Sequence, residues 1–226
     1  MLRTIFVILR ALACFLCLFT LMACDNSPEQ EEAIPLIDQI QGSPTPEQLI
    51  VLEENTTLVS GIGTPNADGT FPESLTTIFK GSFKNPEGHG YALELGQDDT
   101  AFSAYAGLLP SPDPSPLPMQ GIAAMHGNYS VIEVGKSDGE RRDFGEPETT
   151  TGRITLRANF TFKTLQGSDD FLTVDGEFNG NAVTGDVFFN MRPATLVGSL
   201  GSDHAVGVFH GTDDVTAYIG GFLVER

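Results

Sequence analysis

The clearest pattern in the chain is a strict alternation of apolar and polar residues over the stretch RITLRANFTFK, residues 153–163. Every second side chain is apolar, so one face of an extended chain would collect Ile154, Leu156, Ala158, Phe160 and Phe162. A period of two is typical of a strand in an antiparallel sheet with one face buried and one face exposed to water. The pattern therefore predicts a half-buried strand over these residues.

Similar short runs fill the rest of residues 119–226. FLTVDGEF and AVTGDVFF flank Asn179-Gly180, a dipeptide typical of hairpin turns, and further strands are predicted at NYSVIEV, TLVGSL, AVGVFH and AYIGGFLV. Seven or eight short strands without a helical period predict an all-β fold, an eight-stranded antiparallel up-and-down barrel. We expect the strand glycines to lie where a small barrel bends or where backbones approach closely.

A barrel of this size should be filled by its own side chains, which argues against a soluble ligand inside it. The residues predicted to fill it are Ile154, Leu156, Phe160, Phe162, Leu172, Val174 and Phe178. Any recognition of a partner would then use exposed loops.

Residues 49–109 carry a second group of β-rich runs, TTLVSGIG, LTTIFKGSF, GYALELG and TAFSAYAGLL, separated by turn signals. They predict a small antiparallel region that precedes the barrel. The stretch PSPDPSPLP, residues 110–118, has five prolines in nine residues. Because proline cannot donate to a β-ladder, this stretch is predicted to be a stiff connector between two subdomains.

The N-terminal segment has a different character. Residues 1–23 combine a basic start with a long apolar run and end in LMA directly before Cys24, the arrangement of a secretory signal peptide. LMAC resembles a bacterial lipobox, which implies acylation of Cys24 and a lipid anchor in the membrane. The alternative is a plain signal peptide with an incidental cysteine. Residues 24–48 are acidic and proline-bearing, as in an extended tether.

Charge and cysteine content narrow the function further. Removing Arg3 and Arg10 with the signal peptide takes the net charge of the chain from −18 to −20. Such a surface repels phosphate backbones, so nucleic acid and anionic lipid headgroups are poor partners, and membrane contact would come from the acyl chains. The cysteines are Cys14, Cys17 and Cys24, so the predicted folded region has no disulfide. We expect a monomer.

Three stretches of residues 116–226 resemble the transferrin-binding protein B family. PLPMQGIAAMHGNYSVIEVG is similar to its entry into the barrel, GEFNGNAVTGDVFF to its middle hairpin and GVFHGTDDVTAYIGGFLVER to its final hairpin. The final hairpin matches the family pattern at Gly207, Phe209, Gly211, Gly220, Gly221 and Phe222, whereas His210 stands where the family usually has tyrosine. The resemblance implies an eight-stranded barrel preceded by a smaller "handle" subdomain, and this sequence departs from the family in having one lobe rather than two.

The resemblance also implies a surface or periplasmic lipoprotein of the bacterial envelope, and it favours the outer membrane. Asp25, directly after the predicted acylated cysteine, favours inner-membrane retention in some bacteria, so the sequence leaves both membranes open. The partner that the resemblance implies is a protein or an iron or haem carrier. No cofactor and no metal site are predicted.

Two short motifs raise the question of catalysis. HGTDD, residues 210–214, has turn chemistry and is interpreted as a hairpin tip. GKSDG, residues 135–139, formally matches a nucleophile elbow, but no helical pattern follows it, so a long polar loop is the better interpretation. The alternative is a serine hydrolase that uses Ser137 with His126 or His204. The dispersed histidines show no metal-ligand spacing.

The sequence therefore predicts a binding lipoprotein and not an enzyme, with no catalytic residue assigned. The best candidates for partner contact are Arg141, Arg142 and Phe144, which put positive charge and an aromatic ring on one long loop. A structural envelope lipoprotein without a soluble ligand is the other alternative.

Overall fold

The computed structural model describes residues 57–72, 76–97, 101–135, 147–213 and 216–226, which all belong to one compact unit, Ile37–Arg226. In these residues the regular elements are all strands, and no helix is long and apolar enough to cross a membrane. The strands are β1 (Thr57–Ile62), β2 (Thr76–Lys84), β3 (Gly90–Gln97), β4 (Ala101–Leu108), β5 (Ile122–Gly135), β6 (Glu148–Asn159), β7 (Thr164–Ser168), β8 (Leu172–Asn179), β9 (Ala182–Phe189), β10 (Arg192–Leu200), β11 (His204–Thr212) and β12 (Thr216–Glu225).

The last eight strands form a closed barrel. Each of β5 to β12 pairs antiparallel with the next strand in the chain, and β12 returns to pair with β5. The predicted eight-stranded up-and-down barrel is confirmed. Closure leaves no strand of the barrel without a neighbour on either side, although β6 pairs with the short β7 only over Arg157–Asn159.

The interior of the barrel is filled by side chains. Buried and exposed residues alternate without exception along β8, as the sequence pattern requires. Six of the seven residues predicted to fill the barrel are buried in its core, namely Ile154, Leu156, Phe160, Leu172, Val174 and Phe178. Tyr129, Phe189, Phe209, Tyr218 and Phe222 add large rings to the same core. The space that a ligand would need is therefore occupied by the protein itself.

The prediction for Phe162 is wrong, since this side chain is 76% exposed. The strand ends at Asn159, whose side-chain Oδ1 accepts the backbone N–H groups of Thr161 and Phe162 at 3.1 and 3.2 Å. Lys163 then adopts a left-handed φ of 58°, which completes the turn into β7. This asparagine turn replaces the last residues of the predicted strand, so the alternation of faces stops before Phe162.

The first four strands form a separate sheet in the order β1-β4-β3-β2. The predicted strands are all present, but the prediction of a purely antiparallel region is wrong, because β1 pairs with β4 in parallel. The chain leaves β1 at one edge and builds β2 at the opposite edge, so two strands separate them. A parallel pair needs such a long connection, which local turn signals do not reveal.

This sheet packs on the outer face of β5, β11 and β12. The layer between them is one apolar cluster, with Phe79, Phe83, Leu93 and Leu95 from the sheet and Ile132, Val206, Val208, Ile219 and Leu223 from the barrel. Strands β11 and β12 are consequently buried on both faces along most of their length. Tyr91, which is fully buried, lies over Gly221, where a Cβ atom would be 2.5 Å from its ring.

The motif glycines of the final hairpin lie under aromatic rings. Gly207 is paired with Phe222, Gly220 with Phe209 and Gly211 with Tyr218 in the β11–β12 register. A Cβ atom on any of these three glycines would come within 2.3 Å of the opposite ring. Each glycine thus leaves space for the inward-facing ring of the paired residue to lie across the neighbouring strand. Packing in the barrel therefore explains the motif.

Candidate functional site

The two ends of the barrel differ. We call one the loop end, formed by the end of β5, the start of β6 and the β7–β8, β9–β10 and β11–β12 connections. We call the other the turn end, formed by the start of β5, the β6–β7 turn, the β8–β9 hairpin and the start of β11. At the turn end, the two-residue β8–β9 turn is formed by residues 180–181, one residue later than the predicted Asn179-Gly180, because Asn179 still pairs with Ala182. Gly180 has a φ of 58° there. Recognition by loops would use the loop end.

The loop end is closed by a layer built around Arg192 at the start of β10. Its guanidinium forms an ion pair with Glu133 of β5 and lies 4.7 Å from the ring centre of Tyr218. The Phe189 ring is 5.5 Å away, and the Tyr218 hydroxyl donates to the carbonyl of Pro193. Burial raises the pKa of the Tyr218 hydroxyl, which stays protonated as this donor requires. The Arg192 guanidinium and the rings of Phe189 and Tyr218 therefore cover the core at this end.

Three exposed apolar side chains, which we call the apolar rim, lie near this layer at the loop end, on the β7–β8 and β9–β10 segments. Phe171 is 51% exposed, Phe188 40% and Met191 93%. The β7–β8 and β9–β10 turns that carry Phe171 and Met191 are joined by a 2.9 Å hydrogen bond from the Asn190 N–H to the Phe171 carbonyl. Phe188 lies on the outer face of β9, opposite Thr173 of β8. The rim residues therefore lie on neighbouring strands and turns at the loop end.

The turn beneath Phe171 is rigidly held by Asp169. Its Oδ1 accepts the backbone N–H groups of Phe171 and Leu172 at 2.9 and 2.6 Å, and its Oδ2 accepts the Tyr129 hydroxyl at 2.7 Å. Burial and the bond to Asp169 raise the pKa of the Tyr129 hydroxyl, so it remains a donor. Phe171 is thus displayed to solvent from a fixed backbone.

Met191 is displayed from a strained backbone. Asn190 and Met191 form the two-residue β9–β10 turn and have φ values of 49° and 64°. Asparagine tolerates this region, but methionine has no side-chain group that favours it, and glycine would fit with less strain. The exposed Met191 side chain is therefore presented from a backbone conformation that costs free energy.

His210 belongs to strand β11 and not to the hairpin tip, and so do Gly211 and Thr212. Of the described residues of HGTDD, only Asp213 lies in the turn, and Asp214 lies outside the described residues. Asp213 closes the turn, with its Oδ1 accepting the Thr216 N–H at 2.7 Å. The imidazole Nδ1 of His210 lies 3.0 Å from Oγ of Ser60 in β1, which places this contact between the sheet and the barrel. Burial lowers the pKa of His210, which favours the neutral ring.

The alternative of a serine hydrolase fails on distance. His126 lies nine residues before Gly135 on β5, which is roughly 30 Å of extended strand. His204 lies at the same level, because both histidines flank Glu225 in the strand register. Ser137 follows Gly135 by two residues, about 7 Å of chain at most, so neither histidine can serve it as a base.

Several predicted residues lie outside the part of the chain that the structure describes, namely Cys24, Ser137, Arg141, Arg142 and Phe144. Gly135 and Glu148, which flank the predicted contact loop, are at the loop end. Among the described residues, no group of three or more histidine, cysteine or acidic side chains is arranged to hold a metal ion. The apolar rim had no sequence signal, because single exposed hydrophobic residues in turns are common.

The fold and this site define a class of protein, a filled eight-stranded barrel with a β-sheet on its wall and apolar side chains at one end. No protein-family model and no curated protein sequence matches the chain. Solved structures similar to it include a surface lipoprotein, with 15% identity, 61% of this chain and 74% of that chain covered, and a TM-score of 0.43.

Transferrin binding protein B, the family that the sequence resembles, is also among the similar structures. The protein from Haemophilus parasuis is 14% identical over 68% of this chain and 38% of its own, with a TM-score of 0.41. HpuA from Kingella denitrificans, solved in complex with human haemoglobin, is 14% identical over 60% of this chain and 55% of its own, with a TM-score of 0.36. The chain thus spans about half or less of these two proteins.

Proposed function

We propose that the chain is a lipid-anchored protein of the bacterial cell envelope that binds another protein, such as an iron or haem carrier, through its loop end. The observation that supports this most directly is the apolar rim, where Phe171 and Met191 are exposed on turns that the fold holds in place. The filled barrel leaves the outer surface as the place for recognition.

The chemistry of the rim suits a protein partner. Aromatic residues and methionine are enriched at the centres of protein interfaces, because each of these side chains buries a large apolar area when a partner binds. Holding Phe171 on a turn fixed by Asp169 lowers the entropy lost when a partner binds. Met191 adds an unbranched side chain that adapts to the shape of the partner.

The loop of residues 136–146 is proposed to extend this surface. Its flanking residues lie at the loop end, and Glu133, three positions before residue 136, forms an ion pair with Arg192. Arg141 and Arg142 would give an otherwise acidic chain a local positive charge beside Phe144. Arginine and aromatic residues together are typical of the side chains that dominate binding energies.

A double substitution in the rim tests the proposal. We expect Phe171→Ser with Met191→Ser to weaken binding by at least about tenfold, because the apolar area that the partner would cover is lost. Binding is measured by immobilising haemoglobin or transferrin on a sensor surface and titrating it with the chain without residues 1–23. Both substituted side chains are exposed, so the melting temperature should hardly change.

The chain offers a matched control at its other end. Phe162 and Met119 are 76% and 98% exposed at the turn end, so Phe162→Ser with Met119→Ser removes similar apolar area away from the proposed site. This control should bind as tightly as the unchanged protein. Equal losses in both variants would contradict the proposal, and a complete absence of partners in pull-downs from host fluids would favour the structural lipoprotein.

The contribution of the loop is tested separately. We expect Arg141→Ala, Arg142→Ala and Phe144→Ala together to reduce affinity for the same probe while the melting temperature stays within a few degrees. The loop arginines should also make association slower at high salt, since charged contacts at a rim act mainly on the association rate. Unchanged affinity, or loss of folding, would contradict the proposed role of this loop.

A further inference from the structure

Two histidines meet where the sheet contacts the turn end of the barrel. His89 lies in the turn between β2 and β3, and His204 is the first residue of β11. Their rings are stacked, with centres 3.7 Å apart and planes 25° from parallel. Both residues are buried, with 7% and 2% of their surface exposed, and Nε2 of His204 has no hydrogen-bond partner.

Polar contacts surround this pair and fasten the β2–β3 turn to the barrel. Asn85, in the same turn, donates from Nδ2 to Glu225 of β12 at 2.6 Å and accepts the His89 N–H at 2.8 Å. Asp203 lies 2.8 Å from Nδ1 of His204 and accepts the Ser115 hydroxyl at 2.7 Å. The junction at this end is therefore polar and titratable, unlike the apolar layer farther along the sheet.

The charges that face the pair act in opposite directions on His89. Glu87 of its own turn, Asp203 beside β11 and Glu225 of β12 all favour the protonated ring. Burial and the neighbouring His204 oppose protonation and outweigh these acids, so the pKa of His89 is lowered from its ordinary value of 6.5. Asp203 keeps a lowered pKa through its bonds from Ser115 and His204 and so remains ionised in mildly acidic solution.

We propose that the stacked His89–His204 pair is a pH-sensitive latch, which holds the β2–β3 turn on the barrel near neutral pH and releases it in acid. Two positively charged imidazoles cannot remain stacked at this distance in a buried site, because like charges repel strongly where water is excluded. The closed latch therefore accepts at most one proton, and a second proton requires that the rings separate.

The sign of the pH dependence follows from linkage. Since the pKa of His89 is lower in the closed latch than in the open one, the open latch binds more protons below pH 6.5. The stability of the closed latch is fully present above that pH and falls as the pH drops towards the lowered pKa. Uptake of one proton raises the open fraction by up to about tenfold per pH unit in that interval.

The test measures the latch in the folded protein between pH 7.5 and 5.0. In proton NMR spectra, the Cε1–H signals of His89 and His204 should show the ring-current shift of a stacked pair at pH 7.5 and lose it in acid. His126, which is exposed on β5, serves as the internal reference in the same spectra. Hydrogen exchange of the His89 amide, corrected for its intrinsic pH dependence, should report an open fraction that rises up to about tenfold per unit below pH 6.5.

A variant with an uncharged ring at position 89 distinguishes opening caused by protonation of the histidine pair from a general loss of structure in acid. His89→Phe keeps an aromatic ring against His204 but carries no proton, so its latch should stay closed at pH 5.0. If His89→Phe does not fold, the titrations of the unchanged protein decide. Stacking shifts that persist in acid, or an acid-induced opening that His89→Phe retains, would overturn the proposal.

Discussion

Replacing Gly220 with alanine will destabilise the protein by about 3 kcal/mol, and Gly207→Ala will do the same. A methyl group at Gly220 would lie 2.3 Å from the Phe209 ring and 2.8 Å from the Ser130 carbonyl oxygen. Phe209 is fully buried among other large side chains, so its ring cannot move aside without disturbing the packed core. In thermal denaturation this corresponds to a melting temperature lower by roughly 6–12 °C.

Gly61→Ala is the matched control for this prediction. Gly61 also lies in a strand, but an added Cβ would meet only the Tyr105 ring at 3.7 Å, an ordinary contact distance. We expect a change of less than about 1 kcal/mol there. A small effect at Gly220, similar to that at Gly61, would contradict the packing explanation of the motif.

A double-mutant cycle identifies the opposing ring as the cause. Phe209→Leu removes the far edge of the ring, which is the part that a methyl group at Gly220 would meet. The combined variant should therefore be more stable than the sum of the two single changes, by about 1–2 kcal/mol. Strict additivity would place the cost of Gly220→Ala elsewhere, in the backbone of β12.

The barrel was predictable from the sequence because its signals are local. Alternation over residues 172–178 fixes which side chains of β8 point inward, and the Asn179-Gly180 dipeptide locates the turn before β9 to within one residue. The failure at Phe162 has the same origin, since the Asn159 side chain competes with the ladder for backbone N–H groups and ends the strand early. Alternation alone cannot detect that competition.

Contacts between distant segments were not predictable in this way. The parallel pairing of β1 with β4 joins residues 44 positions apart, such as Thr57 and Ala101, and the His89–His204 stack joins a turn of the sheet to a strand of the barrel. Neither contact leaves a period or a motif in the sequence. His210 shows the same limit, since turn chemistry beside it suggested a hairpin tip, whereas its ring reaches Ser60 of the sheet.

The motif glycines illustrate how a sequence signal can be specific for fold and silent about function. Gly207, Gly211 and Gly220 match the family pattern, and each of them accommodates an inward-facing ring. Their spacing is thus dictated by the barrel and not by a ligand. The side chains proposed to meet a partner, Phe171 and Met191, stand in turns outside the pattern, where the demands of the fold are weaker.

The second large effect is expected at Cys24. We predict that Cys24→Ser will move the protein from the membrane fraction to the soluble fraction and abolish labelling by fatty acid, because the acyl chains are the proposed membrane contact. Cys17→Ser, in the predicted signal peptide, changes the same residue type and should leave both properties unchanged.

Salt distinguishes the proposed lipid anchor from adsorption by charge. The net charge of the chain is −20 once residues 1–23 are removed, so anionic headgroups repel it. Attraction by charge would weaken as salt increases, whereas insertion of acyl chains does not depend on screening. Unchanged protein should therefore stay with membranes through a wash in 1 M salt, where the screening length falls to about 3 Å. Release by that wash, or a Cys24→Ser variant that still sediments with membranes, would show that the protein is held by another contact.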